Sequence, residues 1–529
     1  MPPEKHAEKH SVSSNSTARS RLIVRRAKRS DIDGLVELSE GAFSRASGYS
    51  HSMLRAQFNN FSEGQFIAEY DSRIVGYCAT FIISGKIAFA PHSWAEITGQ
   101  GLATRHDPGG DILYVMELCV DTTYRRLRIG QRLYDACKKL CQTLNLEGIV
   151  LGGRMPGLQR RLKALGSTEA YIDAVKEKRM RDTVVGFDLA NDFEIKGFLR
   201  DYDPADTPSM GFATHMFWRN ALFIEDDARK RNTTALKTKD TVRVATVQFQ
   251  MRGLEDRSDF ERRVKYFVDV ASEYRSDFVV FPEWFTLQLL SIEKKPLAPD
   301  QGIQRMIEYT PWYLKTMEHL AVSSNVNIIG GTHPRLTESG DIQNVSYAFL
   351  RDGSVHAQPK IHPTPDERRY WNIKGGDRID TIDTDCGPIG ILVCYDVEFP
   401  ELARNLADQG VFLLFVPFCT DERRGYLRVR YCAHARAIEN QVYVIMSGVV
   451  GNLPNVENVD IHYAESCILT PCDFAFARDG VAADTAANME TIAFADLRLS
   501  DLRVARQSGT TRNFMDRRFD LYRVVWSGR

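Results

Sequence analysis

The sequence predicts two α/β domains in one chain, and three observations carry that reading. Apolar, strand-like runs alternate with helical stretches through the first two hundred residues; a polar, charge-dense segment from Glu225 to Asp240 interrupts the pattern; and a second alternation begins immediately, at Val242 to Phe249. A chain of 529 residues, at roughly 150 per domain, leaves room for two to four domains. The expected divisions are a tail (1–20), a first domain (21–224), a linker (225–240) and a second domain (241–529). No internal repeat relates the two halves.

In the first domain, strands are expected at Leu22–Val24, Gln65–Glu69, Ile74–Ile83, Ile112–Val120 and Gly148–Gly152, with helices at Ser30–Phe43 and Ile129–Asn145. The second domain reads as strand Val242–Phe249, helix Ser258–Tyr274, strand Phe278–Phe281, helix Pro311–Ser324 and strand Val326–Gly330. Strands Tyr347–Leu350 and Ile389–Cys394 follow. These later strands are unbroken Val/Ile/Leu/Phe runs, the pattern of a sheet covered by helices.

Composition narrows the function classes. A net charge of −1 leaves no overall electrostatic footprint for nucleic acid or an anionic membrane. No apolar run approaches the roughly 18 residues that a membrane span needs. The first twenty residues lack an apolar core, so no secretory leader is expected there, although the first thirty carry eight Lys/Arg against two Glu. Ten cysteines without regular spacing and without a CxxC pair suggest reduced thiols in a cytoplasmic protein, no disulfide framework and no metal site. Cys137 and Cys141 read as two small buried side chains on a helix.

Three segments of the second domain each place one reactive side chain at or just after the end of a buried strand. Phe278-Val-Val-Phe-Pro-Glu283 ends in a carboxylate, Gln358-Pro-Lys360-Ile-His362 presents an amine, and Gly387-Pro-Ile-Gly-Ile-Leu-Val-Cys394-Tyr-Asp presents a thiol. A base, a fixed cation and a nucleophile make a complete set for attack on a carbonyl or nitrile carbon.

Residues 241–529 resemble a nitrilase-superfamily domain, the carbon–nitrogen hydrolases. Phe281-Pro-Glu283 resembles the family's base motif, Pro359-Lys360-Ile-His362 its lysine motif, and Val393-Cys394-Tyr395-Asp-Val-Glu-Phe-Pro-Glu401 its cysteine motif. The resemblance implies an α-β-β-α sandwich, a Glu283-Lys360-Cys394 triad, and Glu367 as a second carboxylate. It also implies a covalent thioester or thioimidate intermediate, with Lys360 and the backbone N–H of Tyr395 stabilising the oxyanion. Arg436 and Glu439, in Arg436-Ala-Ile-Glu439-Asn440, are expected to form an ion pair that positions the nucleophile turn. Cys386, Cys419, Cys432, Cys467 and Cys472 lack this context and read as structural, and His362 and His434 as packing or hydrogen-bonding residues. The implied substrate is a small amide or carbamoyl compound, with a nitrile as the other option. Homo-oligomerisation through this domain is implied as well.

In the first domain, strand Leu113–Val120 runs into Asp-Thr-Thr-Tyr-Arg125-Arg126-Leu-Arg128-Ile-Gly130-Gln131 and then a helix, whose unpaired first N–H groups suit a pyrophosphate. This segment resembles the acetyl-CoA-binding motif of GNAT acetyltransferases, which implies a mixed sheet with flanking helices. By that resemblance Leu118 and Val120 pair with the pantetheine arm, and Arg125, Arg126, Arg128, Gly130 and Gln131 surround the pyrophosphate. One departure stands out: Arg128 occupies the position of the usual first glycine. Glu117 and Tyr202 are candidate bases, and Trp94–Gly110 a candidate acceptor-side loop. The whole chain thus reads as an acetyltransferase-like domain, acting on an amine or a protein, fused to a hydrolase. The alternative is a hydrolase whose first domain only senses acyl-CoA or docks a partner.

Overall fold

The computed structural model describes residues 22–42, 48–224, 240–293, 295–459 and 461–526. The expected tail and nearly all of the expected linker lie outside the described residues.

The N-terminal domain is a seven-stranded mixed sheet: β1 (Leu22–Arg26), β2 (Gln65–Tyr70), β3 (Arg73–Ile83), β4 (Ile112–Val120), β5 (Gly148–Arg154), β6 (Glu194–Leu199) and β7 (Ala213–Arg219). The order is β1-β2-β3-β4-β5-β7-β6, and the β4–β5 pair alone is parallel. Helix Ile129–Thr143 buries Ile129, Leu133, Tyr134, Cys137, Leu140 and Cys141, an i, i+4 stripe facing the sheet. The sequence did not reveal helix His51–Phe61, capped by Ser50 and burying Leu54, Phe58 and Phe61. Its charge-poor, Asn-rich exposed face gives little contrast with the buried one.

β4 and β5 pair only over Ile112–Val115 and Gly148–Leu151. Beyond that point β4 continues against β3, with a bulge at Met116, while β5 continues against β7. The sheet therefore splays, and one edge of Glu117–Val120 faces a wedge.

The C-terminal domain has two six-stranded layers. The first has the order β12-β11-β10-β9-β8-β20, from β8 (Thr241–Met251), β9 (Phe278–Phe281), β10 (Asn327–Leu336), β11 (Ile342–Phe349), β12 (Val355–Pro359) and β20 (Thr491–Arg498). The second contains β13 (Ile382–Thr384), β14 (Gly387–Ile391), β15 (Leu413–Phe418), β16 (Tyr443–Asn452), β18 (Cys467–Leu469) and β19 (Val481–Asp484). The layers join where the ends of β8 and β16 pair, and β17 (Ile461–His462) extends β16 there. Val244, Phe278, Val280 and Ile329 pack across the sandwich against Ile391, Phe415 and Ile445. The opposite face of the first layer, including Val247, Val279 and Phe281, packs under helices Arg257–Glu273 and Pro299–Ser323. Helices Pro400–Asp408 and Arg423–Asn440 cover the second layer. The expected α-β-β-α sandwich is the observed architecture.

Two expected boundaries need correction. The helix expected from Pro311 begins at Pro299 and carries Pro311 in its interior; the ring's steric break is tolerated because Met306, Tyr309, Tyr313 and Met317 are all buried on one face. The strand expected to reach Cys394 ends at Ile391, and Cys394 opens a 3₁₀ turn through Glu398.

The domains touch extensively. Arg55 pairs with Asp380 at 2.6 Å, Arg29 with Asp383, and Asn59 donates to the carbonyl of Gln409. The end of the chain returns to the N-terminal domain: Gln100 donates to the carbonyl of Phe519 at 2.7 Å, and Arg105 to that of Met515 at 3.0 Å. Among the described residues no helix is long and apolar enough to cross a membrane, and no group of three or more His, Cys, Asp or Glu is placed to hold a metal ion.

Candidate active site

Glu283 follows the last residues of β9, where the chain turns sharply. Trp284 adopts φ 58°, and its N–H donates to Thr332 Oγ1 at 2.9 Å. Beside it Gly331 has φ 59°, and a side chain there would collide with the carbonyl of Pro282. Lys360 follows β12, and Glu367 sits in the first turn of helix Pro365–Tyr370. A capping box fixes that turn: the Thr364 hydroxyl accepts from Glu367 N–H, and Glu367 Oε2 accepts from Thr364 N–H at 2.7 Å. Cys394 adopts φ 48°, a left-handed conformation that costs a non-glycine residue roughly 1–2 kcal/mol.

These elements bring the four residues together in the interior, each at most 5% exposed. Lys360 Nζ donates to Glu283 Oε1 at 2.7 Å and to Glu367 Oε2 at 2.6 Å. Asn344 Nδ2 donates to Glu283 Oε1 at 2.9 Å and to Glu367 Oε1 at 2.8 Å, and Trp284 Nε1 to Glu367 Oε1 at 3.1 Å. The Cys394 thiol donates to the carbonyl of Cys419 at 3.7 Å.

Burial raises Glu283 to about 7; Lys360 opposes that rise, Glu367 adds to it, and hydrogen bonds to Lys360 and the Cys394 thiol lower it again. Burial works against the charge on Lys360, but Glu283 and Glu367 outweigh it and hold the ammonium well above the ordinary lysine value. Burial likewise pushes Glu367 up, and Lys360, Thr364 N–H and Asn344 more than reverse the push, so it stays ionised. Burial and the Glu283 carboxylate drive Cys394 well up, so it rests as a thiol and needs a base to become a nucleophile. The constellation holds one carboxyl group that titrates near neutral pH, one cation, one anion and one protonated thiol.

The turn after Cys394 is fixed from behind. Arg436 donates to the carbonyls of Val397 at 2.9 Å and Glu398 at 3.2 Å, and pairs with Glu439 at 2.9 Å. Asp396 accepts from the N–H groups of Ile361 and His362, tying the Tyr395 turn to the lysine segment. His362 pairs with Asp396 at 3.0 Å and stacks on Phe399, away from the four central side chains.

In the N-terminal domain, Arg125 and Arg126 lie in the 3₁₀ turn Thr122–Leu127, and Arg128 caps helix Ile129–Thr143 with φ 55°. Its backbone thus takes the conformation a glycine would supply, while its side chain is exposed to solvent. Among the described residues no side chain caps that helix, so its first N–H groups remain available. A side chain at Gly130 would come within 2.8 Å of the Phe187 ring. Gln131 is exposed, and Leu118 and Val120 lie on the wedge side of β4. These residues fit a pyrophosphate and an extended amide-bearing arm. Glu117 is half-buried at the wedge and raised to about 7 by burial, opposed by Arg154. Tyr202 is buried and hydrogen-bonds to Tyr114 at 3.1 Å. Trp94–Gly110 starts as helix Trp94–Thr98 and continues as turns, and the Trp94 indole donates to the carbonyl of Met116 at 2.9 Å.

Residues 243–507 match the carbon–nitrogen hydrolase family, and residues 32–162 the acetyltransferase (GNAT) family. A probable hydrolase of Bacillus subtilis, YhcX, is 42% identical over 506 residues, covering 96% of this chain and 97% of that protein. The chain belongs to the carbon–nitrogen hydrolase family. Its N-terminal domain is of the GNAT type, 28% identical to an uncharacterised N-acetyltransferase of B. subtilis, YkwB, over 38% of this chain and 90% of that protein. The hydrolase domain is also 28% identical to the omega-amidase NIT3 of Saccharomyces cerevisiae, over 54% of this chain and 96% of that protein.

Sequence reasoning missed three residues that shape the hydrolase site. Asn344 bridges both carboxylates, Trp284 donates to Glu367, and Cys419, read as merely structural, offers its carbonyl to the Cys394 thiol. Asn344 and Ser346 share one buried face of β11, and nothing in the sequence separates the one that meets the carboxylates from the other.

Proposed function

We propose that the hydrolase domain cleaves the C–N bond of small carboxamides through Cys394. The observation that carries this reading is the burial of a protonated thiol beside a carboxylate poised near pH 7 and a lysine held as a cation. Glu283 takes the thiol proton as sulfur bonds to the amide carbon. The C=O π electrons move onto oxygen, where Lys360 and the Tyr395 N–H stabilise the charge. The oxyanion then re-forms the carbonyl, the C–N bond breaks, and Glu283 returns its proton to the departing ammonia or amine. Glu283, with Glu367 holding Lys360 in place, next removes a proton from water, which attacks the thioester; the carboxylic acid leaves and the thiol is restored. The omega-amidase relative supports an amide over a nitrile.

The test is ammonia release across a panel of small amides by wild type, Cys394→Ala and Glu283→Gln, with intact-mass detection of the acyl-enzyme. Loss of all turnover in both variants, and an acyl adduct only when Cys394 is present, is the expected result; unchanged hydrolysis in Cys394→Ala overturns the mechanism.

For the N-terminal domain the reading is acetyl transfer to an amine or protein acceptor. The wedge beside Glu117–Val120 and the uncapped helix at Arg128 support it. Acetyl-CoA supplies an activated thioester when bound; Arg125, Arg128, Gly130 and Gln131 would hold its pyrophosphate, Leu118 and Val120 its arm, and Glu117 would accept the proton of the incoming amine, while the Arg126 side chain lies outside the described residues. Titration with acetyl-CoA followed by an amine panel tests this. Binding without transfer would instead favour an acyl-CoA sensor or docking module. Ten free cysteines support a reducing, cytoplasmic setting, and family likeness supports a homo-oligomer, which light scattering of the purified protein tests.

A further inference from the structure

A cavity of about 490 Å³, an ordinary size for a small-ligand site, opens beside the wedge of the N-terminal sheet. Trp94 and Tyr202 form its inner wall. Trp94 lies against β4, because its indole donates to the carbonyl of Met116 at 2.9 Å, one residue before Glu117. Tyr202 lies against β5, because a side chain at Gly152 would strike its ring. The two aromatic residues therefore stand on the two strands that part to form the wedge. A side chain at Gly153, on the other face of β5, would instead meet Asp188, which is bound by Tyr134 of helix Ile129–Thr143. The cavity and that helix thus lie on opposite faces of the sheet, with the wedge between them.

Both halves of the chain build this cavity. Phe519 and Asp520, from the hydrolase half, close one side of it, and Gln100 holds the carbonyl of Phe519 at 2.7 Å. The charges of the lining are mostly negative. Glu96, Asp201, Asp203 and Asp520 share it with one cation, Arg200, whose guanidinium lies 5.2 Å from the centre of the Phe198 ring. Asp520 is paired with Arg518, and Glu96 accepts from the N–H and hydroxyl of Ser93 within electrostatic reach of Arg105 and Arg518. Asp201 and Asp203 are exposed and have no ion-pair partner among the described residues. Asp203 is also near enough to Glu117 to help raise it. Burial first, and then neighbouring His215 and Arg105, hold His92 down at about 4, so it adds no positive charge at neutral pH. Free carboxylates in a concave lining concentrate cations, and the faces of Trp94 and Phe519 suit an alkyl chain that ends in an ammonium.

Resting on the acetyl-transfer reading of this domain, we propose that the cavity is its acceptor site and that the acceptor is an aliphatic diamine. One amine is presented to Glu117, while the second, as an ammonium, stays with Asp201 and Asp203; Phe519 covers the alkyl chain. The free amine nitrogen bonds to the acetyl carbon, the C–S bond breaks, and the proton that the amine loses passes through Glu117 to the departing thiolate. The hydrolase half is thereby a wall of the acetyltransferase site.

The experiment uses the full chain, with 1,4-diaminobutane as the probe in calorimetric titration. Saturable binding is expected, at least tenfold tighter than that of 1-aminobutane, which lacks the second charge, or of 4-aminobutanoate, which reverses it. Asp203→Asn keeps the acceptor for Ala205 N–H, and Asp201→Asn sits at φ 52°, which asparagine tolerates. The two together should weaken the diamine at least tenfold, and Phe519→Ala should weaken it several-fold, with the Tm of each variant checking its fold. The same order should appear in the acceptor KM when acetyl-CoA is supplied. If Phe519→Ala does not fold, the aspartate pair decides. The proposal falls if the diamine does not bind, if 1-aminobutane binds as tightly, or if the doubly substituted protein binds the diamine as wild type does. Wild-type affinity in folded Phe519→Ala would overturn the shared wall. Acetyl transfer to other amines without diamine binding overturns this proposal alone. Diamine binding without transfer to any amine overturns the acetyl-transfer reading, and the acceptor role falls with it.

Discussion

The ammonium nitrogen of Lys360 lies 2.6 Å from Oε2 of Glu367. Glu367 therefore shares the cation with Glu283, and its negative charge helps keep Glu283 basic. Glu283 is effective as a base only when ionised, so log(kcat/KM) for amide hydrolysis should fall with slope one below about pH 7. Glu367→Gln removes the like charge, lets Lys360 pull the pKa of Glu283 down, and shifts this acid limb to lower pH. The weaker base should also lower the plateau, by about a hundredfold on the scale of general base catalysis. A pH–rate profile of the variant checks both; an unmoved limb would show that Glu367 does not act through Glu283.

Asn344 places one amide nitrogen against both carboxylates. Asn344→Ala removes two hydrogen bonds to charged acceptors, each worth about 1.5–3 kcal/mol. The expected outcome is a loss in kcat of two orders of magnitude or more with little change in KM, because the carboxylates lose their orientation while the pocket keeps its walls. Steady-state kinetics on any active amide separates the two parameters.

Arg128 combines a left-handed backbone with an exposed guanidinium. Arg128→Gly should relieve the backbone strain, raising stability by about 1 kcal/mol, and weaken acetyl-CoA binding by removing a cation near the pyrophosphate. Unfolding and titration calorimetry should thus move in opposite directions, the second more strongly at low salt.

Asp188 is buried beneath the Gly130 region, accepts from Tyr134 OH at 2.9 Å, and leaves Oδ2 without a partner among the described residues. Burial raises it to about 7, the Tyr134 bond partly opposes the rise, and Asp182 adds to it. Folding therefore takes up a proton between the unfolded value near 4 and about 7, and stability should fall as pH rises through that window and level off above it. Asp188→Asn should flatten this dependence, with the largest gain in Tm at pH 8 and almost none at pH 4.

The residues legible in the sequence were those whose chemistry clashes with their surroundings. Glu283 and Cys394 follow runs too apolar to be surface, and Lys360 follows a strand and a proline. Asn344 was hidden because polar residues surround it in sequence, and only the fold shows which of them point inward. The start of helix Pro299–Ser323 was hidden by Pro311, since a local rule marked a boundary where burial of one face overrides it. The wedge in the first sheet was hidden for another reason: a strand's sequence does not say where its neighbour leaves it. The two domains were separable by composition alone, but their docking was not, because its contacts join residues more than three hundred positions apart.

The returning end of the chain also changes what a cut between the domains would do. Met515 and Phe519 belong to the hydrolase half, yet their carbonyls are held by Arg105 and Gln100 of the other half. A protease that severs residues 225–239 therefore makes two polypeptides but one particle. The fragments should co-elute under native conditions and separate only in denaturant, so the covalent connection between the halves is one tether among several.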